Sequence, residues 1–172
     1  MKTGIGLAAA LVLLMPAASL AQKVTTDYDP KADFAAFKTY AWTEGTPSPN
    51  PLGEARIRAA VDERMAAKGL KLVAEAPDIV VATHVVAKEQ KELNTMGYGG
   101  YGWRWGGGMA TTSIDTYIQG TLALDVYDAG SKQLVWRGIG TDTASDQPEK
   151  NQKKINKALD KMFKDFPPRP KK

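Results

Sequence analysis

One histidine and a few carboxylates are the residues of this chain that could take part in acid–base chemistry. His84 is the only histidine, and histidine is the residue type that titrates near neutrality. Asp125 lies in a later apolar segment. A carboxylate and an imidazole that face one cleft could exchange protons with a substrate, as in a hydrolase. A histidine within a strand is more commonly a packed residue. The sequence therefore assigns no catalytic residue, and a carboxylate-dependent periplasmic hydrolase remains the alternative function.

Several other kinds of site are excluded or disfavoured by residue type. The chain has no cysteine, so it can form neither a disulfide nor a thiolate nucleophile nor a Cys-ligated metal site. No G-x-S-x-G motif is present to expose a serine nucleophile. Asp27, Asp29 and Asp33 lie close together, but Asp-Tyr-Asp-Pro is typical of a turn and does not match a calcium-binding loop. The sequence predicts no metal and no cofactor.

A glycine-rich segment at 97–108 contains seven glycines and four aromatic residues. It includes Gly97-x-Gly99-x-x-Gly102, but a dinucleotide-binding site needs a helix directly afterwards, whereas more glycine and then a predicted strand follow here. Long loops in compact domains are either functional or mobile, and exposed aromatic side chains suit a contact surface. The candidate contact residues in this predicted hairpin loop are Tyr98, Tyr101, Trp103, Arg104 and Trp105.

Lysines recur at helical spacing near the C-terminus. A solvated helix face is the ordinary interpretation of such spacing. Attraction to acidic lipid headgroups or cell-wall polymers is the functional one. The candidate basic surface consists of Lys153, Lys154, Lys157, Lys161 and Lys164.

The first 21 residues have the pattern of a cleavable signal peptide. Met1-Lys2 gives a positive start, an apolar run follows from Ile5 to Met15, and small residues stand at Ser19 and Ala21. The run is shorter than the roughly 20 apolar residues that span a bilayer. Cleavage after Ala21 would begin the mature chain at Gln22. Without cysteine the protein cannot be a thioether-linked lipoprotein, so we expect a periplasmic protein, at most peripheral to the outer membrane.

The rest of the chain predicts one α+β domain over residues 22–168, followed by a polar tail at 169–172. Two amphipathic helices need a sheet to cover, and short β-rich segments supply about five strands, mainly antiparallel. Asn50 and Pro51 suit the start of the first helix, and Asp146 with Glu149 suggests a capping box for the second. The predicted strands are 23–28, 37–42, 79–87, 116–127 and 133–141, and the predicted helices are 50–69 and 146–166.

Short phrases along the chain together resemble a family of exported bacterial proteins, domain of unknown function 4136 (DUF4136). The phrases are Asp27-Tyr28-Asp29-Pro30, Asp33-Phe34, Tyr40-Ala41-Trp42, Asn50-Pro51-Leu52, Arg56-Ile57, Lys68-Gly69, Pro77-Asp78, Gly120-Thr121-Leu122 with Asp125, Leu134-Val135-Trp136-Arg137-Gly138 and Phe166-Pro167-Pro168. The resemblance covers about Val24 to Pro168. It implies an exported α+β domain and no established activity, cofactor or catalytic residue.

These observations predict a non-enzymatic envelope protein that acts as a binding or structural module. The expected partners are an envelope protein, a lipid headgroup or a cell-wall polymer. An exported chain is not expected to meet nucleic acid, and the mature chain contains no second apolar run of membrane-spanning length. A homo-oligomer sealed by the segment 97–108 is a further structural hypothesis.

Overall fold

A computed structural model describes residues 22–96 and 111–168 of the 172-residue chain. The predicted signal peptide, the glycine-rich segment and the polar tail lie outside these residues. Six strands and two helices follow one another along the chain: β1 (Lys23–Tyr28), β2 (Thr39–Trp42), α1 (Pro51–Ala67), β3 (Lys71–Leu72), β4 (Ile79–Met96), β5 (Thr111–Asp128), β6 (Leu134–Thr143) and α2 (Pro148–Lys164).

All six strands belong to one sheet with the order β1-β6-β5-β4-β2-β3. The pairs β1–β6, β5–β6 and β4–β5 are antiparallel, whereas β2 pairs in parallel with both β3 and β4. Parallel neighbours need a crossover connection, and α1 supplies it between β2 and β3. The predicted single α+β domain with a mainly antiparallel sheet is confirmed. The short strand β3 was not predicted, because two residues carry no periodic signal.

The helices cover one face of the sheet. Leu122, Leu124 and Val126 alternate along β5 and are buried in the core, as side chains of one sheet face must be. On α1 the buried positions Ile57, Val61 and Met65 repeat at every fourth residue, as expected for the apolar side of an amphipathic helix. α2 buries Ala158, Leu159, Met162 and Phe163.

The two helices begin differently. The side chain of Asn50 accepts hydrogen bonds from the backbone N–H groups of Leu52 and Gly53, so the predicted cap of α1 is confirmed. α2 begins at Pro148, and its N-cap residue Gln147 makes no side-chain cap bond. The predicted Asp146 capping box is therefore wrong. Instead, Asn151 accepts from the backbone N–H of Ser145 at 2.7 Å and donates to its carbonyl at 2.6 Å.

Strands β4 and β5 are longer than the sequence predicts. Each has 18 residues, and they pair along their whole length. From the pair Glu89–Ile118 to the pair Met96–Thr111 they form a two-stranded ribbon, because β6 ends its pairing with β5 at Gln119. The charged run from Lys88 to Glu92 has low strand propensity, so only the partner strand reveals that the pairing continues.

Candidate functional site

A polar cluster lies on the sheet face opposite the two helices. Asp125 follows Leu124 on β5 and therefore points away from the core, yet its side chain is fully buried. Arg137 stands directly opposite it on β6. The guanidinium donates to both carboxylate oxygens, from Nε to Oδ1 at 2.6 Å and from Nη2 to Oδ2 at 2.5 Å. The hydroxyl of Tyr127 donates to Oδ2 at 3.2 Å.

This bidentate pair governs the charge of the cluster. Hydrogen bonds to Asp125, together with its negative charge, raise the pKa of Arg137, although burial opposes this effect. Burial and the nearby Asp125 carboxylate raise the pKa of Tyr127. Arg137 is therefore a permanent cation and Tyr127 is neutral, and both donate hydrogen bonds to the Asp125 carboxylate.

His84 joins the cluster from β4. Its Nε2 lies 3.5 Å from Asp125 Oδ2. Its Nδ1 lies 3.1 Å from both the backbone nitrogen and the hydroxyl of Thr46. Because a backbone N–H can only donate, Nδ1 carries the lone pair and the proton of the neutral ring stands on Nε2, facing Asp125. The structure thus brings together the two residues that the hydrolase alternative names, and adds Thr46, which the sequence did not single out.

The chemistry open to this cluster is restricted by its hydrogen bonds. Both oxygens of Asp125 are taken by Arg137, at shorter distances than the contact with His84. The lone pair of His84 already accepts from Thr46, so the ring must release that contact before it can accept a proton. Within residues 22–96 and 111–168, no group of three or more histidine, aspartate or glutamate side chains could hold a metal ion.

A groove lies at the opposite, helix-covered face, between the N-terminal halves of α1 and α2. Its volume is about 370 Å³. The floor is formed by Val85 and Ala87 on β4, Gly120 and Leu122 on β5, and Gly140 on β6; the walls include Ile57 from α1 and Ile155 and Ala158 from α2. The isolated Gly120 inside a strand pattern was the one sequence signal that could have pointed to this groove.

The lysines of α2 are arranged differently from the predicted set. Lys154 turns back to the sheet, where its Nζ lies 2.6 Å from the Thr143 carbonyl oxygen and 3.2 Å from Asp142 Oδ1. It therefore does not belong to the predicted basic surface. The remaining exposed lysines follow the spacing of one helix face. We call them the lysine face: Lys150, Lys153, Lys157, Lys161 and Lys164.

The other predicted contact surface lies outside the described residues. Tyr98, Tyr101, Trp103, Arg104 and Trp105 fall between the ends of β4 and β5, at Met96 and Thr111. Their role as a contact surface stays a prediction. Of the helices in the described part of the chain, neither has the length and apolar character needed to cross a membrane.

The fold and its surfaces define a class: an α+β domain with a six-stranded sheet covered by helices on one face. The family model of the domain of unknown function DUF4136 matches residues 24–168. The chain belongs to this family. No curated protein matches its sequence.

Two solved structures are similar to this chain at low sequence identity, and the first of them shares its fold. A PDZ domain protein from Parabacteroides distasonis ATCC 8503 is 14% identical with a TM-score of 0.58, and the match covers 86% of this chain and 36% of that one. This chain therefore spans about a third of that protein. A PelC dodecamer from Paraburkholderia phytofirmans is 15% identical with a TM-score of 0.48, covering 83% of this chain and 99% of that one.

Proposed function

We propose that this protein is exported to the bacterial envelope and acts there by binding rather than by catalysis, with the lysine face as its contact to acidic envelope groups. The signal-peptide pattern of residues 1–21 supports export. The family match supports a domain that begins just after it, at residue 24. The observation that carries the binding proposal is the lysine face itself.

The lysine face is a continuous positive strip. Its five residues are exposed and span about four turns of α2, or roughly 21 Å at 1.5 Å per residue. None of the five forms an ion pair with a carboxylate of the described residues. Asp160, which projects beside the strip, is engaged instead by Arg64, with Nη2 at 2.6 Å from Oδ1.

The strength of the electrostatic attraction expected from five lysines suits reversible attachment to a surface. A lysine near an anionic membrane contributes about 1 kcal/mol, so five act together where one would be undetectable. Such attraction is screened by salt because the Debye length is about 8 Å at physiological ionic strength. Acidic lipid headgroups are the partner that we propose first. A cell-wall polymer and an envelope protein are the other partners of the same chemistry.

The test is co-sedimentation with vesicles of phosphatidylglycerol and phosphatidylcholine. The wild type should sediment with them at low salt, be released at high salt and ignore vesicles of phosphatidylcholine alone. A variant in which the five lysines of the lysine face are changed to Gln should stay in the supernatant. A matched control removes the same charge elsewhere, at the exposed residues Lys31, Lys68, Lys71, Lys88 and Lys91, and should still sediment.

Equal sedimentation of both variants would show that net charge, not the lysine face, is responsible. If no form binds vesicles, the same variants are tested on purified cell wall, where loss of binding by the lysine-face variant alone would support the polymer as partner. Failure on both surfaces would contradict the proposal.

A hydrolase is the second candidate, because Thr46, His84 and Asp125 form a hydroxyl–imidazole–carboxylate line. If the protein is a hydrolase, it should hydrolyse a simple ester such as p-nitrophenyl acetate, and His84→Ala or Thr46→Val should abolish this activity. The binding function predicts that neither substitution changes the rate of hydrolysis.

A further inference from the structure

The groove between α1 and α2 has the size of a small-molecule site. Its volume of about 370 Å³ falls at the lower end of the roughly 300–1,000 Å³ typical of ligand pockets. It lies beside the N-terminal halves of the two helices, and further along the chain Arg64 of α1 contacts Asp160 and the Asn156 carbonyl of α2.

The glycines of the sheet beneath α2 differ in whether the surrounding packing leaves room for a side chain. A Cβ atom at Gly138 or Gly140 would come within 3.0 Å of the α2 side chains Met162 and Ala158, so helix packing requires these glycines. A Cβ atom at Gly120 would meet only the Asp142 carbonyl oxygen, at 3.8 Å. Packing does not require a glycine there, and a glycine inside a strand weakens it. Its effect is to keep the groove floor open.

The opposite wall repeats this feature. Gly53 lies in the first turn of α1. An added Cβ would lie 3.3 Å from the Ser48 hydroxyl and 3.6 Å from Asn50 Cβ, so the Ser48 side chain would have to move slightly to admit it. Gly120 and Gly53 thus line the same groove, one from the sheet and one from α1, and Gly120 is the one where an added Cβ would meet only ordinary contact distances.

The lining selects for an aliphatic ligand. Its apolar side chains are branched or small aliphatic groups, among them Ile57, Val85, Leu122 and Ile155, and none of the described residues that line it is aromatic. It therefore offers no stacking surface for a sugar ring or a nucleobase. Beyond Gly120 the same sheet face carries the exposed Ile118, which a chain slightly longer than the groove could contact.

The polar rim is balanced in charge. Lys154 is paired with Asp142, and Arg56 and Asp146 oppose each other in sign. Gln22, also at the groove, donates from its amide nitrogen to the Lys154 carbonyl at 2.7 Å, which fixes the orientation of the amide. Its Oε1 is buried and has no hydrogen-bond partner among the described residues. A ligand with a hydroxyl group beside its apolar chain could supply the missing donor.

From these observations we infer that the groove binds the acyl chain of a neutral single-chain lipid, such as a monoacylglycerol. This goes beyond the proposed attachment through the lysine face, and it does not rest on it. The lysine face lies on the outward side of α2, whereas the groove involves the side of α2 that faces α1 and the sheet.

The test uses cis-parinaric acid, whose fluorescence rises in apolar sites, displaced by monomyristoylglycerol. The full-length mature protein should bind the probe saturably and release it to the competitor. Gly120→Val fills the floor with a residue of high strand propensity and should weaken binding by at least about tenfold, the consequence of losing a few methylene contacts. It should unfold at the same or a higher temperature. Gln119→Val, on the opposite sheet face of the same strand and at a residue that does not line the groove, should bind as the wild type does.

If Gly120→Val does not fold, Gly53→Met fills the groove from α1 instead and should show the same loss. Absence of saturable, displaceable binding in the wild type would overturn the inference, and so would unchanged affinity in a folded groove-filling variant. The lysine-face variant should keep its affinity for the probe, and Gly120→Val should still sediment with anionic vesicles. The failure of one proposal is therefore distinguishable from the failure of the other.

Discussion

Asp125 shows how a charge can be buried on the uncovered face of a sheet. Its neighbours across the ladder are Ala82 on β4 and Arg137 on β6, so a small side chain on one side leaves room while the guanidinium covers it from the other. A buried carboxylate with fixed donors on both oxygens is stable as a pair, but costly when the partner is lost. We interpret this pair as structural.

Removal of Arg137 should therefore cost more than removal of the whole pair. Arg137→Met should lower the free energy of unfolding by about 2–4 kcal/mol, because it leaves a buried carboxylate that only Tyr127 and His84 contact. The double variant Asp125→Asn with Arg137→Met should be more stable than Arg137→Met alone. Urea unfolding of the wild type, Asp125→Asn, Arg137→Met and the double variant gives the coupling energy between the two residues. Additive losses would contradict the interpretation.

The sequence predicts residue types at this site better than it predicts their contacts. Alternation along β5 puts Asp125 on the face opposite Leu124, and the hairpin brings Arg137 near it. Its burial is not predictable, because it depends on the register between β4, β5 and β6. The contact of Thr46 with His84 depends on a loop that joins β4 through a single bridge, which no periodic pattern reveals.

At the scale of elements, Asp78 ties the start of β2 to the start of β4. Its Oδ2 accepts from the backbone N–H groups of Lys38 and Thr39 and from the Thr39 hydroxyl, all at 2.8–2.9 Å. The backbone hydrogen bonds are the main cause of the lowered pKa of Asp78. The sequence alone does not reveal this contact, since the partners of Asp78 lie some 40 residues away in the chain.

This junction predicts a dependence of stability on pH. Because the folded-state pKa of Asp78 is depressed, its contribution is present above the unfolded pKa of about 3.9 and is lost as the pH falls through the folded pKa. The free energy of unfolding should therefore fall less between pH 7 and pH 3 in Asp78→Asn than in the wild type. The exposed Glu75→Gln serves as control and should follow the wild type. Identical pH profiles for wild type and Asp78→Asn would refute the assignment.

At the scale of the whole molecule, the predicted class was confirmed because both helices and the long strands have strong periodic patterns. Ile57, Val61 and Met65 locate the inner side of α1, and the alternation on β5 defines the covered sheet face. The groove could not be predicted, since it arises where the two helices separate, and no local pattern records the distance between helices. Helical spacing alone puts Lys153, Lys157, Lys161 and Lys164 on one side of α2, but it could not show that Lys154 turns back to the sheet. The role of these lysines as a contact surface stays a prediction.

We propose a one-domain protein that attaches reversibly to the envelope by the outward side of α2. Its parts are distinct in space: the lysine face outside, the groove between the helices, and the Asp125 cluster on the uncovered side of the sheet. Substitutions in one of these regions should leave the other two intact. No described hydrogen bond or ion pair links the five lysines of the lysine face to the Asp125 cluster.

The most direct measurement is fractionation of cells that produce either the wild type or the variant with all five lysines of the lysine face changed to Gln. We predict that both are shortened by removal of residues 1–21, that the wild type sediments with the envelope and is released by high salt, and that the variant appears in the soluble periplasm. An unprocessed protein that stays in the cytoplasm, or a variant that sediments as the wild type does, would contradict the account.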